Sequence, residues 1–205
     1  MTTQTKTSQE QLTPTTALDL LKEGNHRFLS QQMSDRDLNS QVAQTANGQF
    51  PFACVLGCID SRVPSELVFD QGIGDIFNVR IAGNFVNTDI LGSMEFACKV
   101  AGSKVIVVLG HTSCGAVKGA CDGVELGNLT AMLANFDSAL DAVDYVGDRS
   151  AKNTEFVNLV TEKNVQLTVD KIKTDSPVLR EMYEAGAIDI VGAIYDVSSG
   201  EVKFL

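Results

Sequence analysis

Two short stretches of the 205-residue chain hold residue types that can do chemistry together: Cys58-Ile59-Asp60-Ser61-Arg62 and His111-Thr112-Ser113-Cys114-Gly115. Cys58, His111 and Cys114 make two thiolates and an imidazole, a soft sulfur and nitrogen set suited to zinc. The His-x-x-Cys spacing lets two donors reach one ion from a single tight turn. A structural zinc site normally closes with a fourth Cys or His, whereas three protein ligands leave a tetrahedral position open for catalysis or an exchangeable ligand. Asp60 could fill that position itself or accept a hydrogen bond from a water placed there. Arg62, two residues on, can hold Asp60 in a charge-assisted pair, keeping it ionised, oriented and off the metal.

Taken one at a time, these residues have plainer readings. A cysteine at a strand end is usually a small buried hydrophobe. A lone histidine is usually a hydrogen-bonded structural residue, and an Asp–Arg pair is usually a surface ion pair. The metal reading therefore depends on the two stretches meeting in space, which the surrounding elements must arrange.

Residues 52–57 read as a short buried strand ending at Cys58, and 104–110, "KVIVVLG", as a second ending at His111. The second is an unbroken β-branched run, as expected of a parallel strand covered on both faces. Further strands are expected over 75–81, 189–197 and 201–205, the last two joined by the turn Ser198-Ser199-Gly200. Thr13 and Pro14 read as an N-cap and first residue of a helix running to about 32, followed by a second helix over 35–46. Thr88 or Asp89 should cap another, closed by Gly102, and helices dominate from 126 to 183. Strands alternating with helices imply an α/β fold around a mostly parallel sheet, in which ligands bind beyond the carboxyl ends of the strands. Both chemical stretches stand at such ends.

The bulk properties exclude more than they assign. A net charge of −10 disfavours nucleic-acid and anionic-membrane partners, which want basic patches. No apolar run approaches a membrane span, and the polar opening "MTTQTKTSQEQL" has no signal-peptide core. Residues 1–12 read as a flexible tail. Five cysteines, an odd number, favour reduced thiols and a cytoplasmic setting over a disulfide framework. Cys54, Cys98 and Cys121 read as core residues, although Cys114 and Cys121 could pair as a redox switch. His26 falls on an amphipathic helix and reads as structural.

The stretches "CIDSRVPSELVFDQG", "NVRIAGN", "LGSMEFA" and "VIVVLGHTSCGAVKGA" resemble the β-class carbonic anhydrases, and "GAIYDVSSGEVKFL" also fits. The resemblance implies one domain over 1–205, with a helical dimerisation arm at 13–47 and an α/β core at 50–205. It implies a sheet of four parallel strands plus an antiparallel edge strand, in a homodimer or homotetramer. It makes Cys58, His111 and Cys114 the ligands of one zinc per subunit, and Asp60 and Arg62 the catalytic pair. Gly115 would hold bicarbonate through its N–H, Gln49 would bind substrate from the neighbouring subunit, and Phe77, Ala82 and Phe96 would form an apolar pocket for CO2. Zinc would acidify its bound water to a hydroxide that attacks CO2, with Asp60 and Arg62 orienting it. Arg80 and Tyr195 match two members of a Trp–Arg–Tyr noncatalytic bicarbonate pocket found in some bacterial members. Val55 stands in the Trp position and the chain has no tryptophan, so Asp60 is expected to pair with Arg62 near neutral pH.

Two rival functions remain at this level. Carbonyl sulfide and carbon disulfide are also linear triatomics, and a hydrolase for either would use the same ligands. A noncatalytic zinc or redox module using Cys114 and Cys121 is a rival of another class.

Overall fold

The computed structural model describes residues 3–205. Its strands are β1 (Ala53–Gly57), β2 (Ile76–Arg80), β3 (Val105–His111), β4 (Asp189–Tyr195) and β5 (Val202–Phe204). They form one sheet in the order β2-β1-β3-β4-β5. The first four are parallel, and β5 runs antiparallel to β4. From β1 the chain crosses to β2 on one side and then to β3 on the other. The crevice between β1 and β3 is thus the point where strand order reverses, and it opens at the strands' carboxyl ends.

Every residue of β1 and β3 is buried. Side chains alternate between two layers, as strand geometry requires. Val55, Val107 and Leu109 face a cluster with Ala17, Leu21, Phe52 and Phe69. Cys54, Leu56, Ile106 and Val108 face the opposite layer with Met94, Ile172 and Leu179. The first layer is supplied by α2 (Pro14–Leu29) and the short α4 (Ser65–Val68). The second comes from α5 (Thr88–Glu95), α9 (Thr154–Asp175) and α10 (Pro177–Glu184). A third apolar cluster, around α6 (Gly115–Cys121), α7 (Gly127–Leu133) and α8 (Asp137–Ala142), underlies the strand ends.

The N-terminal region departs from the sequence expectation. Met1 and Thr2 lie outside the described residues, but residues 3–12 are built onto the body of the protein. A reciprocal Thr5–Ser8 capping box opens α1 (Lys6–Glu10). Gln9, only 5% exposed, donates from Nε2 to the carbonyls of Pro51 and Ala101, both at 2.8 Å. The Gln4 N–H donates to Asp75 Oδ1 at 3.1 Å. Polar side chains dock this segment, so its composition looks like a solvated tail.

The two helices expected after residue 12 are present, as α2 and α3 (Leu38–Thr45). Thr13 caps α2 and Pro14 opens it. Gly24 lets α2 meet the backbone of Phe69 so closely that a Cβ would collide with that carbonyl. Asn25 is buried, donating to the carbonyls of Val68 and Gly200 and accepting from the Val202 N–H. The helix α2 therefore belongs to the core of its own chain. The exposed apolar surface of this region is Leu29 and Met33 with Leu38 and Val42. His26 is exposed rather than packed.

Asn87, not Thr88 or Asp89, caps α5, its side chain accepting the Ile90 N–H at 3.0 Å. That helix runs into a π-helical turn, Phe96–Val100, before Gly102 turns the chain at a φ of +88°. Among the described residues no helix is long and apolar enough to cross a membrane.

Candidate metal centre

Cys58 directly follows β1, His111 ends β3, and Cys114 caps α6. Gly57 is level with Leu109, so the ends of the two strands bring these residues together. Ser113 takes a left-handed conformation, φ +58°, which tightens the turn between His111 and Cys114. The three ligand atoms lie within 4.8 Å of one another, with all three residues buried. The two sulfurs are 3.9 Å apart.

The histidine is set up as a nitrogen donor. Its ring is wholly buried, and Nδ1 donates to the Thr112 carbonyl at 2.9 Å. That bond leaves Nε2 as the lone-pair nitrogen. Nε2 is buried with no hydrogen-bond partner. The thiols depart from ordinary behaviour together. A hydrogen bond from Cys114 is the main force lowering Cys58, against the cost of burial, and His111 and the N–H groups of Gly83 and Asp60 lower it further. The same bond, burial and the charge on Cys58 push Cys114 up. A buried thiol–thiolate pair beside an imidazole nitrogen that has no partner is a donor set a soft cation would satisfy by displacing the remaining thiol proton. The donor set fits zinc, which Cys58, His111 and Cys114 could hold.

Asp60 stands beside this set without joining it. Oδ2 is 3.9 Å from His111 Nε2. Oδ1 accepts from the backbone N–H and Nε of Arg62, both at 2.9 Å, and Oδ2 accepts from Nη2 at 2.7 Å. These bonds from Arg62 hold the carboxyl well below the usual carboxylate range. Gly115 is exposed at the start of α6, with open space where a Cβ would stand.

Of the remaining sequence candidates, Ala82 adjoins the cluster through the Ala82–Gly83 peptide, whose N–H is 3.3 Å from Cys58 Sγ, while Phe77, Phe96 and Gln49 are placed elsewhere. Phe77 and Phe96 meet edge to face, 6.2 Å between centroids, and line an open groove of about 750 Å³ along the edge strand β2. Phe77 is level with Cys54, four residues short of Cys58. Ala82 is half-buried, beside Gly83 in sequence. Gln49 is exposed and precedes β1, so it lies at the amino end of the strand whose carboxyl end carries Cys58. Arg80 and Tyr195 stand on strands that are not neighbours. Strands β2 and β4 are separated by β1 and β3, three spacings or about 14 Å.

Arg80 has a role the sequence reading did not give it, and Gly83 and Thr112 escaped that reading. Arg80 clamps the loop from Cys58 to Arg62, Nε donating to the Cys58 carbonyl at 2.8 Å and Nη2 to the Asp60 carbonyl at 2.6 Å. Gly83 donates its N–H to Cys58 Sγ at 3.3 Å. Thr112 supplies the carbonyl that orients His111. "NVRIAGN" carried the signal for the first two, an arginine and a glycine just after a strand beside the site. The redox pairing of Cys114 with Cys121 is excluded by position. They stand at opposite ends of α6, about 10 Å apart along its axis, beyond disulfide reach. Cys54 and Cys98 are buried, and burial pushes both thiols up, Cys98 to about 12.

The sequence profile of the carbonic anhydrase family matches residues 53–202. Carbonic anhydrase 2 of Mycobacterium tuberculosis is 36% identical over 197 residues, covering 91% of this chain and 90% of the relative. A carbonic anhydrase of Mycolicibacterium smegmatis is 34% identical, covering 93% and 92%. Among solved structures, a β-carbonic anhydrase of Aspergillus fumigatus superimposes with a TM-score of 0.69 at 29% identity, covering 93% and 89%. A tetrameric β-carbonic anhydrase of Sordaria macrospora gives 0.68 at 28%, covering 82% and 90%.

Proposed function

This chain belongs to the β-class carbonic anhydrases, and we propose that it interconverts CO2 and bicarbonate at a zinc ion held by Cys58, His111 and Cys114, with Asp60 and Arg62 as the catalytic pair. The observation that carries this reading is the orphaned Nε2 of His111, aimed into a space shared with two sulfurs and bordered by a carboxylate that Arg62 holds aside.

When bound there, zinc supplies the Lewis acidity that makes water a nucleophile near neutral pH. Asp60 does the aiming. Being ionised, it acts only as an acceptor, and Oδ2 faces the cluster. It would accept a hydrogen bond from the nucleophile and so orient it toward CO2. Arg62 fixes both carboxylate oxygens and would keep Asp60 out of the ligand set. The Gly115 N–H, at the open start of α6, serves an oxygen of bicarbonate.

The apolar half of the site is completed by assembly. Phe77 and Phe96 line an open groove, and Gln49 is at the wrong end of β1 to serve its own subunit. A second copy of the chain would supply Gln49 and close the groove over Phe77, Ala82 and Phe96. The exposed Leu29, Met33, Leu38 and Val42 of the arm and Phe96 and Val100 at the sheet edge are the apolar surface for that contact. The working unit is a homodimer or a tetramer built from it. Five unpaired cysteines support a reducing, cytoplasmic setting.

Stopped-flow hydration of CO2, with zinc stoichiometry on the same preparation, tests the reading. One zinc per chain and CO2 turnover that a chelator abolishes are expected. Turnover of carbonyl sulfide or carbon disulfide without CO2 hydration would overturn the substrate assignment, and zinc-free activity would overturn the metal assignment.

A further inference from the structure

Cys58 is held by more than its place on β1, and the contacts lead away from the reacting atoms to a residue on α9. Gly83 lies in the turn after β2. The Ile81 N–H donates to the Gly57 carbonyl at 3.2 Å and the Asn84 N–H to the Ile81 carbonyl at 3.0 Å, which closes the turn. Gly83 itself has a φ of +81°. A Cβ there would run into the ring of Phe136, which is fully buried and meets Phe85 edge to face. The peptide N–H of Gly83 points at Cys58 Sγ. Its carbonyl accepts from Nδ2 of Asn164 at 2.9 Å, across 81 residues of sequence.

Asn164 is 4% exposed, on the buried face of α9. A buried amide is retained where it makes a bond that an apolar residue could not. Its side-chain amide makes that bond to Gly83. The chain Asn164 Nδ2–H to Gly83 carbonyl, Gly83 N–H to Cys58 Sγ fixes the direction of a donor onto a ligand sulfur. An N–H bond to a thiolate withdraws charge from sulfur, which sets both how firmly it binds a metal and how much Lewis acidity the metal keeps.

We propose that Asn164 is a positioning residue of the metal centre. It locks the Gly83 turn so that the Gly83 N–H stays on Cys58 Sγ, and it thereby governs metal retention at a distance. The inference rests on Cys58, His111 and Cys114 holding zinc.

The test compares wild type with Asn164→Ala and with Asn164→Asp, which keeps the shape but exchanges the Nδ2 donor for an oxygen. Thr161→Val serves as the matched control. Thr161 is equally buried on α9 and bonds only to its own helix, at the Val157 carbonyl. The readouts are the zinc dissociation constant by competition with a chromophoric chelator and the sulfur-to-metal charge-transfer band of the cobalt-substituted protein. Both are measured on protein whose circular dichroism matches wild type.

The Asn164 variants are expected to bind zinc about ten- to a hundredfold more weakly, the usual effect of losing an outer partner of a metal ligand. Their charge-transfer band should shift, while Thr161→Val leaves both readouts unchanged. Wild-type zinc affinity and an unmoved band in a folded Asn164 variant would overturn the proposal. So would equal effects from Thr161→Val, which would mark general loosening of α9. If Asn164→Ala does not fold, Asn164→Asp carries the same two outcomes. A wild-type protein that binds no zinc would instead sink the metal assignment itself.

Discussion

Arg62 engages both carboxylate oxygens of Asp60, two residues away, with three hydrogen bonds of 2.7–2.9 Å, and the same guanidinium reaches the Ser113 carbonyl at 3.4 Å. The pair thus spans both loops of the site, since Asp60 follows β1 and Ser113 follows β3. Arg62 is half exposed, so its worth lies in geometry rather than in stability, where exposed ion pairs contribute little.

Arg62→Ala removes the side-chain part of that restraint, leaving only the Arg62 N–H on Asp60. Asp60 is then free to turn toward the metal position, 3.9 Å from His111 Nε2 being a short move. CO2 hydration should fall about a hundredfold or more, the usual scale for losing a positioned proton acceptor. Zinc content should stay at the wild-type level. Stopped-flow rates beside metal analysis decide it, and wild-type turnover would remove the locking role from Arg62.

Arg80→Gln tests the second restraint on the same loop. Its guanidinium donates to the carbonyls of Cys58 and Asp60, and a glutamine is too short to reach both. A net loss of about 1–3 kcal/mol is expected, the scale for hydrogen bonds from a charged donor. The activity loss should exceed what reduced stability explains, since both ends of the loop are released. Urea unfolding and hydration rates on one preparation separate the two. Full activity would show that β1 alone holds the loop.

The division between what sequence shows and what it hides follows the range of the interactions. Cys58, Asp60, Arg62, His111 and Cys114 are legible because each pair of neighbours is local, within four residues, and because parallel strands deliver their ends to one place. The buried runs of β1 and β3 announce themselves as unbroken apolar stretches. Asn164 was invisible, since nothing in "EKNVQL" marks an amide that bonds a carbonyl 81 residues earlier. The docking of residues 3–12 was hidden likewise: Gln9 binds through amide hydrogen bonds, and hydropathy patterns do not register them. Gln49 was legible as a residue type at a spacing, but its place at the far end of β1 required the fold.

Asp70 predicts the acid limit of the arm. Its side chain is fully buried and left-handed at φ +46°, and it accepts from Arg27, Arg36 and the Ser34 N–H and hydroxyl. Burial pushes its pKa up, but bonds from Arg27, Arg36 and Ser34 together outweigh that and leave it lowered. A lowered carboxylate contributes stability above the ordinary value, near ~3.9, that is lost as pH falls through the folded value. Wild type should therefore lose stability as pH falls below about 4. Asp70→Asn should cost about 3–5 kcal/mol at pH 7, the scale for breaking a buried ion pair, and less at pH 3. Urea midpoints at the two pH values measure this. An equal penalty at both would show that the charge contributes nothing.

Metal removal should expose the role of Cys58 without any assay of turnover. In the apo protein two sulfurs and an imidazole nitrogen share a buried space, where the hydrogen bond between the sulfurs lowers Cys58 and, with burial, raises Cys114. Zinc binds the folded form of this site, because only folding brings residue 58 to residues 111 and 114. Its binding must then raise the unfolding temperature, by a free energy of about 2.7 kcal/mol at a hundredfold excess over the dissociation constant. In Cys58→Ser the hydroxyl is a far poorer ligand than a thiolate, so zinc content should fall and added zinc should leave the melting temperature unchanged. Calorimetry with and without zinc on both proteins makes the comparison. A zinc-dependent rise in Cys58→Ser equal to wild type would take Cys58 out of the ligand set and leave its sulfur, 3.9 Å from Cys114, as packing alone.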